Sequence, residues 1–356
     1  MSAPVRSNYL GSLISSWTLF TCFTFYVTFV QYALLGRATA ELGLREDDLM
    51  GGFALLALFG IAGSLIAGWR IDRRGAKPAA LLRATGILSL LLIVCAWIAM
   101  RADSKWALNL ALAPMGFVLG VTIVVLLYQF LLLTDERSRG LYAGLAAGLV
   151  YFVANLEACV AGSPRVIGVL DIALVLSNVA LIFRFAPWPP NDAGSMIGVD
   201  AGVTKMLGRL WPLALVVLLD TALFVHVSRA AGAGAVFTAR GSWLANGFFH
   251  FLFAMAAGLV YRRWGWRRLT LLAGFALLFT TAIFALQQLG SVSLSAGVIV
   301  LYSLSVGVYT VVLFSVFGEE TPRSAPALGI ALGMVLIGWL ASPAGIALGT
   351  ALLGAY

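Results

Sequence analysis

The chain falls into twelve apolar runs, near residues 11–35, 49–69, 79–100, 106–133, 140–162, 166–186, 209–230, 241–261, 267–288, 293–317, 325–341 and 343–356, with most of its charge collected in short clusters between them. Most of the runs are about 20 residues long, the length a helix needs to cross the hydrocarbon core of a bilayer. In hydrocarbon each backbone N–H and C=O must find its partner inside the protein, so runs of this kind fold as helices. Only 11% of the residues are charged, against about 25% in ordinary soluble domains. That excludes a water-soluble globule.

A net charge of +8 would point to nucleic acid in a soluble protein, but its distribution points elsewhere. With the N-terminus placed in the cytoplasm, alternate loops collect Arg6, the 70–83 cluster, Arg137, Arg139, Arg184, Lys205, Arg209, Arg262, Arg263, Arg267, Arg268 and Arg323. About 16 of the 23 basic residues then lie inside, as the positive-inside rule requires. The basicity sets topology, and no nucleic-acid partner is expected. Cys22, Cys95 and Cys159 fall in separate apolar runs and read as small hydrophobic residues rather than metal ligands. Ala38-Thr39-Ala40 imitates a cleavage site, but the first run is too long for a signal-peptide core and is expected to stay as helix 1. The Pro- and Gly-rich stretch 187–208 reads as a cytoplasmic linker between an N-terminal six-helix bundle (1–186) and a C-terminal one (209–356). The final run is short, about 21 Å at the helical rise of 1.5 Å per residue.

One loop carries more information than the rest. Gly68-Trp69-Arg70-Ile71-Asp72-Arg73-Arg74-Gly75-Ala76-Lys77 separates the second and third runs. About 190 residues later an altered copy, Gly258-Leu259-Val260-Tyr261-Arg262-Arg263-Trp264-Gly265-Trp266-Arg267-Arg268, separates the eighth and ninth. A second pair, Thr134-Asp135-Glu136-Arg137-Ser138-Arg139 and Glu319-Glu320-Thr321-Pro322-Arg323, repeats at an offset of about 184 residues. Repeats of helix, basic turn and helix in an apolar chain are how two-fold transporters are built. The first loop, read as G-x-x-x-D-R-x-G-x-K, resembles the signature loop of the major facilitator superfamily between its second and third helices. The second copy stands where that family places its degenerate repeat.

The resemblance implies a compact all-α integral membrane protein, with twelve transmembrane helices in two pseudo-symmetric six-helix bundles. It implies a monomeric secondary transporter of the cytoplasmic membrane, N-terminus inside, working by alternating access. Its partners would be a small solute, the lipid bilayer and protons, with no cofactor, no bound metal and no catalytic residue. The loop would act as a latch on the inner gate. Gly68 would allow close helix approach and Gly75 the tight turn. Asp72 would face the positive N-terminus of helix 11 near Arg323, and Arg73 and Lys77 would pair with Asp135 or Glu136, next to Arg139. Arg262 replaces the acid in the second copy, which puts the stronger inner contact on the N-terminal half. The alternative is a loop that only sets topology.

Gly140, Gly144 and Gly148 line one face of the fifth run, as Gly329 and Gly333 do in the eleventh, and small faces suit either sliding or tight packing. The fifth run lacks the Gly-Pro pair of the family's drug and antiporter branches, which favours a symporter or facilitator.

Ionisable groups at bilayer depth are functional candidates by default. Asp220 in run seven and His250 in run eight are the proton-coupling candidates, with Asn246 one turn from His250; a buried histidine bonded to a backbone carbonyl is the bland reading of His250. His226 ranks below it. Glu157, Asp171 and Arg165 read as an ion-pair cluster at the outer rim, although Asp171 and Asn178 share a helical face. Cavity candidates follow from helical spacing: Thr21, Thr24, Thr28 and Gln31 in run one, Thr122, Tyr128 and Gln129 in run four, and Tyr302, Ser305 and Tyr309 in run ten. Interhelical hydrogen bonding would give the same strips. A polar, aromatic site with Asp220 as its main charge favours a neutral or cationic solute over a phosphate ester, which would want Arg or Lys.

Two other readings stay open. A copper-type metal importer of the same fold would need Met and His pairs, but His250 and Met255 are off one face and no M-x-x-x-M pattern occurs. An intramembrane transferase would need a D-D-x-x-D cluster or a G-x-S-x-G, neither of which is present. No G-x-x-x-x-G-K-[ST] loop occurs, so ATP coupling by this chain is not expected.

Overall fold

The structure is a computed structural model that describes residues 3–75, 77–160, 162–185, 202–229, 242–288 and 295–354. The described residues are helical almost throughout. In chain order α1 runs Ala3–Phe25, continues as a π-wound stretch Tyr26–Leu34 and ends in Leu35–Ala40. Then come α2 (Glu46–Arg74), α3 (Pro78–Arg101), α4 (Lys105–Leu133), α5 (Glu136–Ala154) and α6 (Pro164–Phe185). A single turn, Glu157–Val160, links α5 to α6. After α7 (Val203–Arg229), the stretch Ser242–Gln288 is broken at Gly265, whose φ of 71° and ψ of 161° are not helical. We number its two parts α8 (242–264) and α9 (266–288). Next are α10 (Ser295–Ser315) and α11 (Pro326–Met334), which passes through a second π-wound stretch, Val335–Ala341, into α12 (Ser342–Gly354).

Among the described residues, nine segments are long and apolar enough to cross a membrane, and one of these, Trp243–Leu286, holds both α8 and α9. By the same test α11 and α12 form one segment, Pro326–Leu352, and α5 fails to qualify; its first turns carry Glu136, Arg137 and Arg139. At 13 residues, α12 is about 20 Å long. Much of the exposed surface is apolar: Leu110, Val169, Leu259 and Phe279 are each more than 60% exposed. Such a surface requires lipid in place of water. Residues 187–201, most of the linker, lie outside the described residues.

The chain divides into two compact units that cut across the sequence halves. The first holds Met1–Asp135, Ala158–Met206 and Phe317–Val335, so α11 joins α1 to α4 and α6. The second holds Glu136–Glu157, Leu207–Val316 and Leu336–Tyr356, so α5 joins α7 to α10. Small residues explain both exchanges. In the first unit a Cβ at Gly68 would stand 2.8 Å from the Ala327 carbonyl oxygen and from the Ala331 Cβ. In the second, a Cβ at Gly144 would meet the Ala254 carbonyl oxygen at 2.5 Å, and Gly258 closes on Gly140 from the other side. Gly68 and Gly258 hold the same place in the two loop copies, and so do Gly75 (φ 62°) and Gly265 (φ 71°). The repeat in the sequence is thus a repeat in structure: α2 lies on α11 as α8 lies on α5.

Backbone cannot yield as a side chain can, so Gly144→Ala is expected to lower stability by about 1–3 kcal/mol. A detergent melting curve checks this against Gly208→Ala, where a Cβ would meet open space.

Candidate functional site

In the second unit, polar and aromatic side chains gather from four helices. Asp220 of α7 is 7% exposed, and the Tyr309 hydroxyl of α10 donates to its Oδ2 at 2.7 Å. Tyr302, two turns before Tyr309, is a second side-chain neighbour of the same carboxylate. The Tyr302 ring stands edge-on to His250 of α8, with centroids 6.0 Å apart, and His250 stacks on Tyr151 of α5 at 5.0 Å. The Tyr151 hydroxyl lies 3.2 Å from Thr310 Oγ1. Below this layer Asn246 Nδ2 donates to Asn155 Oδ1 at 2.7 Å, while its Oδ1 accepts from Ser303 at 2.8 Å. The cluster therefore runs from a carboxylate through phenols and an imidazole to a carboxamide pair.

His250 is placed by its own helix. Its Nδ1 lies 2.8 Å from the Asn246 carbonyl oxygen, so Nδ1–H donates there in the neutral ring and Nε2 is left as an acceptor. This is the geometry of a buried histidine held by a backbone carbonyl. Tyr151 and Asn155 escaped the sequence reading, although a signal exists: they extend the Gly140, Gly144, Gly148 stripe at helical spacing, on the face that meets α8. Ser305, in the same strip as Tyr302 and Tyr309, donates to the Ala273 carbonyl of α9.

In the first unit, Asp72 near the end of α2 accepts from two backbone N–H groups of α11, Ala327 at 3.0 Å and Leu328 at 2.7 Å. The local sequence makes this acceptor necessary. Ala325, at the N-cap, has no side-chain oxygen, and Pro326 has no N–H, so the next two donors are open to a carboxylate from elsewhere. Tyr128 is close enough to Asp72 to sense its charge. Gly75 ends α2, Arg73 lies over the Trp69 ring at 4.8 Å, and Lys77 is the exposed N-cap of α3. Asp135 and Arg323 are exposed and Arg139 is buried.

The strips on α1 and α4 divide. Gln129 Oε1 accepts from Thr85 of α3 at 2.8 Å, so this end of the strip binds helix to helix. Thr24 is fully buried, with no partner for its hydroxyl among the described residues. Thr28 faces Asp171 of α6. The side chains of Gln31 and His226 lie outside the described residues.

The ion-pair cluster expected of Glu157, Asp171 and Arg165 is not what forms. Arg165 is 82% exposed at its side chain and its ion pair, at 3.8 Å, is with Glu41. Glu41 also takes Arg37 at 3.2 Å, and Arg37 caps the last carbonyls of α3, those of Ala99 and Ala102. Closeness in sequence misled here, because the start of α6 turns Arg165 outward while Asp171 is buried.

No protein-family model matches the sequence, and no curated protein matches it either. Solved structures do match, over nearly the whole chain. The crystal structure of a mutant of the nucleoside transporter NupG is 15% identical, with a TM-score of 0.60 over 96% of this chain and 91% of that one. The structure of the major facilitator superfamily proton:xylose symporter XylE, bound to 6-bromo-6-deoxy-D-glucose, is 14% identical, with a TM-score of 0.65 over 99% and 90%. The chain has the fold of the major facilitator superfamily transporters.

Proposed function

We propose that this chain is a secondary transporter that moves a small polar solute, neutral or cationic, across the cytoplasmic membrane by alternating access, coupled to protons. The observation that carries the reading is the Asp220–Tyr309 pair, a buried carboxylate among phenols in a chain with a transporter fold. A carboxylate and hydroxyls recognise hydroxyls and amines by hydrogen bonding, and a buried carboxylate can exchange its charge for a proton. The two similar structures are of a nucleoside transporter and a sugar symporter, so nucleosides and pentoses are the first solutes to try.

In this reading twelve spans form two six-helix halves, 1–186 and 209–356, joined by 187–208, with the N-terminus in the cytoplasm. The Asp72 contact with α11 is the inner latch, strong enough to hold one state and weak enough to release. Asp220 and His250 are the protonatable groups, and Tyr302 and Tyr309 line the solute site. Asn246, held from both sides, positions His250.

Purified protein in liposomes is expected to take up a labelled nucleoside or pentose above empty vesicles when the outside is acidified, and a protonophore should abolish the accumulation. Uptake that ignores the protonophore would remove the proton from the proposal. Failure of every nucleoside and sugar would remove the solute class.

A further inference from the structure

Outside the Asp220 cluster, the first unit buries a second carboxyl that the transport reading does not use. Asp171, on α6, is 4% exposed. Among the described residues it makes no ion pair, and its Oδ2 has no hydrogen-bond partner. Its other oxygen, Oδ1, lies 2.5 Å from Thr28 Oγ1, within the π-wound stretch of α1. Thr28 Oγ1 also lies 2.8 Å from the Thr24 carbonyl oxygen.

Counting hydrogens makes this arrangement informative. A threonine hydroxyl has one hydrogen and here meets two acceptor oxygens. If that hydrogen goes to the Thr24 carbonyl, the close approach of Asp171 sets two oxygens together with no hydrogen between them unless the carboxyl supplies it. A protonated Asp171 donates to Thr28, Thr28 donates to Thr24, and both contacts become hydrogen bonds. An ionised Asp171 leaves one contact unmade, in a place where a buried charge without a cation is heavily penalised.

Nearby groups offer room for exchange rather than a counter-charge. Asn178, two turns on along the same face of α6, is fully buried, and among the described residues neither its oxygen nor its nitrogen has a partner, nor does Thr24 Oγ1 on α1. From the turn before α6, Cys159 is close enough to Asp171 to feel its charge, and Tyr32 of α1 is within electrostatic reach of Cys159. From α3, Met100 reaches Gly168, and Cys95 is the titratable group of its buried face. Of the guanidiniums at this end, Arg37 and Arg165 are engaged with Glu41 and Arg101 lies over Trp97.

We propose that Asp171 is a proton-binding site, separate from the Asp220 cluster, whose carboxyl holds a proton at neutral pH between α1 and α6. Thr28 is its hydrogen-bond acceptor, and the buried polar groups of Thr24 and Asn178 extend the polar strip along α1 and α6. A π-wound stretch is a place where helices change register at functional sites, and Thr28 lies within one. Rotation of α1 there would withdraw the acceptor and release the proton.

Infrared difference spectroscopy of the protein in lipid tests this without any solute. At neutral pH the wild type minus Asp171→Asn spectrum is expected to show one neutral-carboxyl C=O band. In Thr28→Val that band should persist and move to higher frequency, because the acceptor is gone. Thr28→Val also keeps the test decisive if Asp171→Asn does not fold. Carboxylate bands in place of the neutral band at neutral pH, or a band unmoved in Thr28→Val, would overturn the proposal. Loss of the band when sodium replaces choline would also overturn it, by assigning the site to sodium.

Discussion

Asp220→Asn is expected to separate transport from its driving force. Asparagine keeps the shape and can still accept from Tyr309, so solute exchange at equal concentrations on both sides should survive. It cannot take up and release a proton, so accumulation against a gradient should fall to the level of empty vesicles. Tyr309→Phe makes the complementary change. It keeps the titratable carboxyl but removes the 2.7 Å hydrogen bond, a bond to a charged group worth about 1.5–3 kcal/mol. Where Tyr309 orients Asp220 toward solute, that is about a 10- to 150-fold loss of apparent affinity, with proton-driven accumulation retained at high solute. The two variants thus fail differently. If Asp220→Asn still accumulates solute, the coupling proton sits on another group; if both variants only melt earlier and transport normally, the pair is structural.

How far the sequence reaches is shown by particular residues. The helical membrane fold follows from run length and charge segregation, both of which survive any uncertainty about which way a helix faces. The two loop copies are legible for the same reason, since glycines at the close approaches and turns recur at fixed spacing whatever lies around them. Side-chain partners are another matter. Helices that are apolar on every side carry little record of their rotation about their own axes. Asp171 illustrates the loss: its neighbour in sequence is Arg165, but its partner in space is Thr28, 143 positions away. Gln129, a cavity candidate by helical spacing, accepts from Thr85 and so ties α4 to α3, a contact that spacing alone does not show. Where two independent constraints coincide, more is recoverable. Tyr151 and Asn155 continue a glycine stripe, and that stripe must face a close neighbour, so their place against α8 could have been found.

If the contact between Asp72 and α11 is the inner latch of the proposed transport cycle, Asp72→Ala should shift the balance between its two states. Its carboxylate accepts from the backbone N–H groups of Ala327 and Leu328, which Pro326 and the bare N-cap Ala325 leave unserved. A side-chain cap is worth about 0.5–2 kcal/mol. The added charge at a helix N-terminus brings up to about 2 kcal/mol when partly buried. Together these give a bias of about 1–4 kcal/mol, or roughly 5- to 800-fold in the populations of latched and open states. The readout is the labelling rate of a single cysteine placed at Ala331, buried on the α11 face that meets Gly68 of α2, in a background without Cys22, Cys95 and Cys159. Labelling from the cytoplasmic side should rise strongly in Asp72→Ala, while Asp72→Asn, which keeps one acceptor oxygen, should fall between. The energetics also set a direction for function. A latch that is too weak leaves the inner side open, so uptake should slow at its return step while solute affinity measured from inside improves. Equal labelling in wild type and Asp72→Ala would mean that α2 and α11 are held by the close approach at Gly68 alone, and the carboxylate would then be a helix cap without a part in gating.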